Sequence, residues 1–235
     1  MVNFKTLIFA DGADLKSIVK LNSDQLISGF TTNPSLMKKA GIVDYKKFAL
    51  EVLKIVKKKP VSFEVFSDEI DDMERQAREI SSWGENVYVK IPITNSKNIK
   101  TNKLVKKLSD EKIKCNVTAV FTLDQVKDVF ESANDETDLI ISVFAGRIAD
   151  SGLDPMSTMK KTIDLCASKK NIKILWASTR EIYNLVQANE INCHIITIPN
   201  SILGKLSGIG KNLEELSLET VNSFLQDAEK SGFKI

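Results

Sequence analysis

The stretch Val87-Tyr88-Val89-Lys90-Ile91-Pro92-Ile93 is a β-branched, apolar run broken by a single charge. Runs of this composition suit strands of a parallel sheet, which helices cover on both faces. A lysine inside one is costly, because an ammonium in an apolar setting loses hydration and the neutral amine is favoured. A neutral amine is a nucleophile, and its usual target is a carbonyl carbon, which gives a Schiff base. A strand-end lysine can equally snorkel to water or pair with a carboxylate. The reading of Lys90 therefore rests on its company.

Working outward, runs of the same kind stand at residues 6–11, 26–33, 61–66, 113–120, 139–145, 172–178 and 194–199, which with the first makes eight. Between them lie segments with helical spacing. Residues 45–57 place Phe48, Val52, Ile55 and Val56 on one face, and residues 71–82 stop before Trp83-Gly84. Thr122 and Gln125 form a capping-box pattern, and Pro155 follows Asp154 as the first helical residue. Residues 180–189 read as a short amphipathic helix. A tail helix over about 212–232 carries Leu213, Leu216, Leu218, Val221, Phe224 and Leu225 and ends at Gly232. Eight strands alternating with helices predict an α/β fold, a (β/α)8 barrel, formed as one domain over residues 1–235. An open doubly wound sheet also alternates, but no glycine-rich loop follows the first strand. The stretch Gly204-Lys205-Leu206-Ser207-Gly208-Ile209-Gly210-Lys211 lacks phosphate-loop spacing, since Asn212 follows Lys211, and is read as a loop.

Composition narrows the function. The 33 basic and 31 acidic residues are interspersed and leave a net charge of +2, which offers no basic stripe for nucleic acid. The three cysteines, Cys115, Cys166 and Cys193, are far apart, which argues against a disulfide framework or a zinc site and for a reducing, cytoplasmic setting. The one histidine, His194, sits in an apolar run and reads as a core or loop residue. No apolar stretch approaches the roughly 20 residues needed to span a bilayer, and the first residues lack the apolar region of a signal peptide.

In a (β/α)8 barrel the active site forms at the C-terminal ends of the strands. Here those ends are polar: Asp11, Thr32 and Asn33, Glu64, Lys90, Asn116 and Thr118, Ser142 and Arg147, Ser178 and Arg180. Strand side chains alternate between faces, so Tyr88 with Lys90, Asn116 with Thr118, and Ser178 with Arg180 share a side. Schiff-base chemistry moves several protons. Glu64 and Thr118 are placed to move them through a water, and Asp11 is the candidate base for a sugar hydroxyl. Asn33 and Asn116 suit sugar hydroxyls, and Arg147 and Arg180 suit a phosphate, which guanidinium binds in a bidentate way. Taken singly, Asn33 and Asp11 are also ordinary turn formers and helix caps.

The chain resembles the transaldolase family, including its short branch with the fructose-6-phosphate aldolases. The resemblance covers nearly the whole chain. It is carried by Gly29-Phe30-Thr31-Thr32-Asn33-Pro34-Ser35, Val61-Ser62-Phe63-Glu64-Val65, Val89-Lys90-Ile91-Pro92, Cys115-Asn116-Val117-Thr118, Ser142-Val143-Phe144-Ala145-Gly146-Arg147 and Ala177-Ser178-Thr179-Arg180. It implies a Schiff base on Lys90, Asp11 acting on the sugar hydroxyl, and Glu64 and Thr118 working a catalytic water. It further implies that Thr32, Asn33, Asn116, Ser142 and Phe144 meet the dihydroxyacetone part, and that Arg147, Ser178 and Arg180 meet the phosphate. Sugar phosphates are then the substrates, with no cofactor, metal or membrane. The implied assembly is a homo-oligomer, a decamer or a dimer.

The implied reaction moves a dihydroxyacetone unit between sugar phosphates of the pentose phosphate pathway. The alternative is an aldolase that releases free dihydroxyacetone. That branch carries glutamine where Glu64 stands and tyrosine where Phe144 stands, so both positions side with the transaldolases. The start Ile8-Phe9-Ala10-Asp11-Gly12-Ala13 and Thr179, where the family often has phenylalanine, depart from the pattern and leave room for a paralogue acting on an unusual sugar. A barrel that binds sugar phosphates without catalysis is a third reading, and the presence of both Lys90 and Glu64 speaks against it.

Overall fold

Each β-branched run of the sequence becomes one stave of a closed barrel. The structure, a computed structural model, describes residues 4–232. In chain order it contains β1 (Leu7–Asp11), α1 (Leu15–Asn22), β2 (Ile27–Thr31), α2 (Pro34–Lys39), α3 (Tyr45–Ile55), β3 (Val61–Glu64) and α4 (Ile70–Ser81). Then follow β4 (Val87–Pro92), α5 (Asn102–Asp110), β5 (Cys115–Val120), α6 (Leu123–Ser132), β6 (Leu139–Val143), α7 (Ala145–Asp150) and α8 (Pro155–Cys166). The chain ends with β7 (Ile172–Trp176), α9 (Tyr183–Glu190), β8 (Ile195–Pro199), α10 (Asn200–Leu203) and α11 (Leu213–Ser231). The strands are parallel, each pairs with the next, and β8 returns to β1, so the fold is a (β/α)8 barrel.

All eight expected strands are present. Five of them end one or two residues earlier than the apolar runs, because the last residues of those runs leave the ladder to start a loop or cap a helix. Asn33 is the clearest case: it is extended, and its side chain caps α2 by accepting from the Leu36 amide. The capping box at Thr122 and Gln125 is closed in both directions. The helix expected from residue 180 starts at Tyr183, since the Asn184 side chain accepts from the Arg180 and Glu181 amides and builds a turn there instead. The 204–211 loop holds one short 3-10 turn, Leu206–Gly208.

Two apolar layers result from strand alternation. One cluster packs the outward strand side chains against the helices, with Phe30, Phe63, Ile91, Ile141 and Trp176 among its members. The second fills the barrel interior with Phe9, Ile140, Leu175, Ala177 and Ile195, backed by Tyr88 and Phe144. Gly29 is required here: a Cβ on it would stand 2.6 Å from the Phe9 ring. This apolar plug forms a floor, and the next inward residue on each strand lies above it.

The last helix differs from the others. Asn212 caps α11, Glu214 and Glu215 occupy its first turn, and Gly232 ends it in the left-handed region. It buries no residue, and Leu213, Leu216, Leu218, Val221, Phe224 and Leu225 are all exposed. Among the described residues no helix is long and apolar enough to cross a membrane.

Candidate active site

Two residues above the plug on β4, Lys90 points inward by the same parity as Tyr88. It is 7% exposed. Its Nζ lies 3.0 Å from Oε2 of Glu64 and donates to the Thr32 carbonyl at 3.0 Å. Glu64 is the register partner of Lys90 on β3. Its backbone is held on both sides by the Tyr45 hydroxyl, which accepts from the Glu64 N–H at 2.8 Å and donates to its carbonyl at 3.0 Å. Lysine and carboxylate are thus set opposite each other by the ladder, and Tyr45 of α3 fixes the carboxylate's backbone.

A cavity of about 510 Å³ opens above this pair at the C-terminal ends of the strands. Asp11, Asn33, Glu64, Lys90, Thr118, Ser142, Phe144, Arg147, Ser178 and Arg180 all line it. Burial pushes the Asp11 carboxyl above the usual range, and the nearby Glu64 charge adds to this; the Lys90 charge and a hydrogen bond from Thr31 act the other way. Thr31 Oγ1 donates to Asp11 Oδ1 at 2.8 Å.

Two of the sequence-derived site residues lie elsewhere. The Thr32 hydroxyl faces away from the cavity and donates to the Ser62 carbonyl, so Thr32 meets the site only through its own carbonyl on Lys90. Asn116 is fully buried behind the lining: its amide donates to Ser62 Oγ at 3.0 Å, and its Oδ1 accepts from Ser142 Oγ at 2.7 Å. It holds Ser142, which does line the cavity. Asn33 lines it too, but spends its Oδ1 on the α2 cap, which leaves the amide N–H groups as donors.

Thr31 and Thr197 also line the cavity and were not singled out from the sequence. Parity is the one sign of them, since Thr31 shares a face with Gly29, and Thr197 with Ile195.

The cationic end is assembled by α7. Gly146 lies so close to β7 that a Cβ would meet the Ser178 carbonyl oxygen at 1.6 Å, and Ser178 itself takes a left-handed φ of 63°. One residue on, the Arg147 guanidinium lies 5.5 Å from the centre of the Phe144 ring. Asp150, three further along α7, forms a two-point ion pair with Arg180 through Nε and a terminal nitrogen. This contact draws Arg180 toward the helix that carries Arg147. Among the described residues no group of three or more His, Cys, Asp or Glu is placed to hold a metal ion.

A buried lysine paired to a carboxylate beneath a cavity rimmed by hydroxyls, the Asn33 amide and two guanidiniums defines a barrel protein suited to a polar, anionic ligand. Comparison with known proteins places it more closely. The profile of the family described as Transaldolase/Fructose-6-phosphate aldolase matches residues 8–235, and the chain belongs to that family. It is 35% identical over 225 residues to a "Probable transaldolase" of Nitrosopumilus maritimus, covering 95% of each chain. It is 36% identical over 224 residues to a "Probable transaldolase 2" of Listeria monocytogenes, covering 94% of this chain and 95% of that protein. A crystal structure from Burkholderia cenocepacia superposes with a TM-score of 0.60 at 9% identity, over 99% of this chain and 86% of that one, a likeness of fold alone.

Proposed function

We propose that the protein is a transaldolase that carries a dihydroxyacetone unit on Lys90 from a ketose phosphate to an aldose phosphate. The donor is fructose 6-phosphate or sedoheptulose 7-phosphate. The acceptor is erythrose 4-phosphate or glyceraldehyde 3-phosphate, as in the non-oxidative pentose phosphate pathway. The observation that carries the reading is the Lys90–Glu64 contact of 3.0 Å beneath a cavity that Asp11, Arg147 and Arg180 also line.

The chemistry follows from that arrangement. Glu64 takes a proton from the ammonium, and the freed lone pair attacks the ketose C2 carbonyl. Glu64 and Thr118 move the protons, through a water, as the carbinolamine loses water to give the Schiff base. Asp11 takes the C4 hydroxyl proton while the C3–C4 bond breaks, its electrons flow into the iminium, and the first aldose phosphate leaves. The remaining enamine attacks the incoming aldehyde, and hydrolysis frees Lys90. The raised proton affinity of Asp11 suits it as the base. Arg147, Ser178 and Arg180 hold the phosphate, while Asn33 and Ser142, the latter held by Asn116, meet the dihydroxyacetone part. This sequence of steps draws on no cofactor or metal.

Transfer rather than release is favoured by Phe144, which lines the cavity and carries no hydroxyl to protonate the enamine. The exposed apolar residues of α11 support assembly into a homo-oligomer, a decamer or a dimer. Three free, buried cysteines fit a cytoplasmic setting.

The test is a borohydride trap with fructose 6-phosphate, with and without erythrose 4-phosphate, read by mass spectrometry. The expected result is a dihydroxyacetone-sized adduct on Lys90 that disappears when the acceptor is added. An adduct insensitive to acceptor, with free dihydroxyacetone in solution, points to the aldolase. No adduct on Lys90 overturns the reading.

A further inference from the structure

Asp11, Thr31 and Thr197 come from three adjacent staves, β1, β2 and β8. The Thr31 hydroxyl has one proton, and it is given to Asp11 Oδ1 at 2.8 Å. The contact of 2.5 Å between Thr31 Oγ1 and Thr197 Oγ1 must then be made by the Thr197 proton. With Asp11 ionised, the chain therefore runs from Thr197 to Thr31 to Asp11. Both threonines are buried, at 3% and 6% exposure, at the base of the cavity that they help to line. The Thr197 backbone is anchored in turn, since its carbonyl accepts from Thr179 Oγ1 at 2.7 Å. Donors in series polarise one another, which strengthens the last bond to the carboxylate.

We infer that Thr197 is a positioning residue that acts through Thr31 to present Asp11 as a carboxylate with Oδ1 occupied and Oδ2 free to take the substrate proton. The catalytic part of this statement rests on the transaldolase reading; the hydrogen-bond relay does not. The relay opposes burial. Two charged groups face Asp11 from other strands, Lys90 from β4 and Glu64 from β3, and they act in opposite directions. Loss of the relay removes a bond that favours the charged form, so Asp11 takes up its proton at higher pH.

The test titrates Asp11 directly. Protein labelled with 13C at aspartate carboxyls is followed by NMR against pH, with the Asp11 signal identified by its loss in Asp11→Asn. Thr31→Val is expected to raise the midpoint by about one pH unit, from the energy of a hydrogen bond to a charged group. Thr197→Val and Thr197→Ala are expected to raise it by roughly half a unit, and Thr197→Ser to leave it at the wild-type value. Thr197→Ala adds no volume, so it serves if the valine variant does not fold. A wild-type midpoint in the folded Thr197→Val or Thr197→Ala variant overturns the inference, as does a serine variant that behaves like alanine. The acid limb of the transfer rate is expected to move with the midpoint. If the midpoint moves and the rate limb does not, the relay stands and Asp11 is not the base.

Discussion

The Nζ of Lys90 lies 3.0 Å from Oε2 of Glu64, the residue directly across the β3–β4 ladder. The two side chains are 9% and 18% exposed, so each charge depends on the other for its stabilisation. Removing one strands its partner. Lys90→Ala is expected to keep the fold, to lower transfer activity on the order of a thousandfold or more, and to cost roughly 3 kcal/mol at neutral pH. Adding Glu64→Gln should recover most of the stability and none of the activity. Urea denaturation and a coupled transfer assay check both halves. Near wild-type activity in Lys90→Ala would sink the mechanism.

Phe144 lines the cavity with its ring against Phe121 and under the Arg147 guanidinium. Tyrosine fits the same ring position and adds a proton donor. Phe144→Tyr is expected to raise the ratio of free dihydroxyacetone to transferred product several-fold. Product analysis with and without acceptor measures that ratio, and an unchanged ratio would count against Phe144 as the device that favours transfer.

Gly146 tests how tightly α7 is docked. Its missing Cβ would overlap the Ser178 carbonyl, which is backbone and cannot swing aside. Gly146→Ala is expected to cost about 1–3 kcal/mol and to displace Arg147 and Ser178 together. The expected kinetic signature is a KM for sugar phosphates that rises more than kcat falls. Wild-type melting and KM would mean that this close approach does not exist in solution.

The proposed homo-oligomer is expected to cover the exposed apolar residues of α11. Leu218→Glu combined with Leu225→Glu is expected to shift the protein to smaller species in light scattering, with the barrel still folded by circular dichroism. An unchanged mass would show that α11 is not at the interface between copies.

The barrel was legible because its signal is repeated eight times and depends only on composition: β-branched runs, each followed by amphipathic spacing. Lys90 and Glu64 were legible because a charge inside such a run has few explanations. The choice between Thr31 and Thr32 was not. Both are threonine, and only the pleat decides that Thr31 faces the Asp11 side while Thr32 turns to Ser62. Thr197 was hidden for a similar reason, as one polar atom in an apolar run. The Asp150–Arg180 pair joins residues 30 apart and depends on how α7 docks, which no local pattern encodes. The same holds for β5, where the left-handed φ of 57° at Ala119 accompanies a register shift between Val117 and Val120.

His194, just before β8, provides a prediction away from the cavity. Its Nδ1 accepts from the Ile174 N–H on β7 at 3.1 Å, which requires that nitrogen to be unprotonated. Burial lowers its pKa below the ordinary histidine value of 6.5, and the Lys173 charge lowers it further. The unfolded chain therefore binds this proton at higher pH than the native protein does. Stability from this group is intact above about pH 6.5 and is lost as the pH falls below it, because protonation then favours the unfolded state. His194→Gln keeps an acceptor near Ile174 and removes the titration. The urea midpoint of the variant is expected to fall less than that of the wild type between pH 7 and pH 5. Parallel losses in the two proteins would show that carboxylates alone set the acid limit and that His194 does not contribute to it.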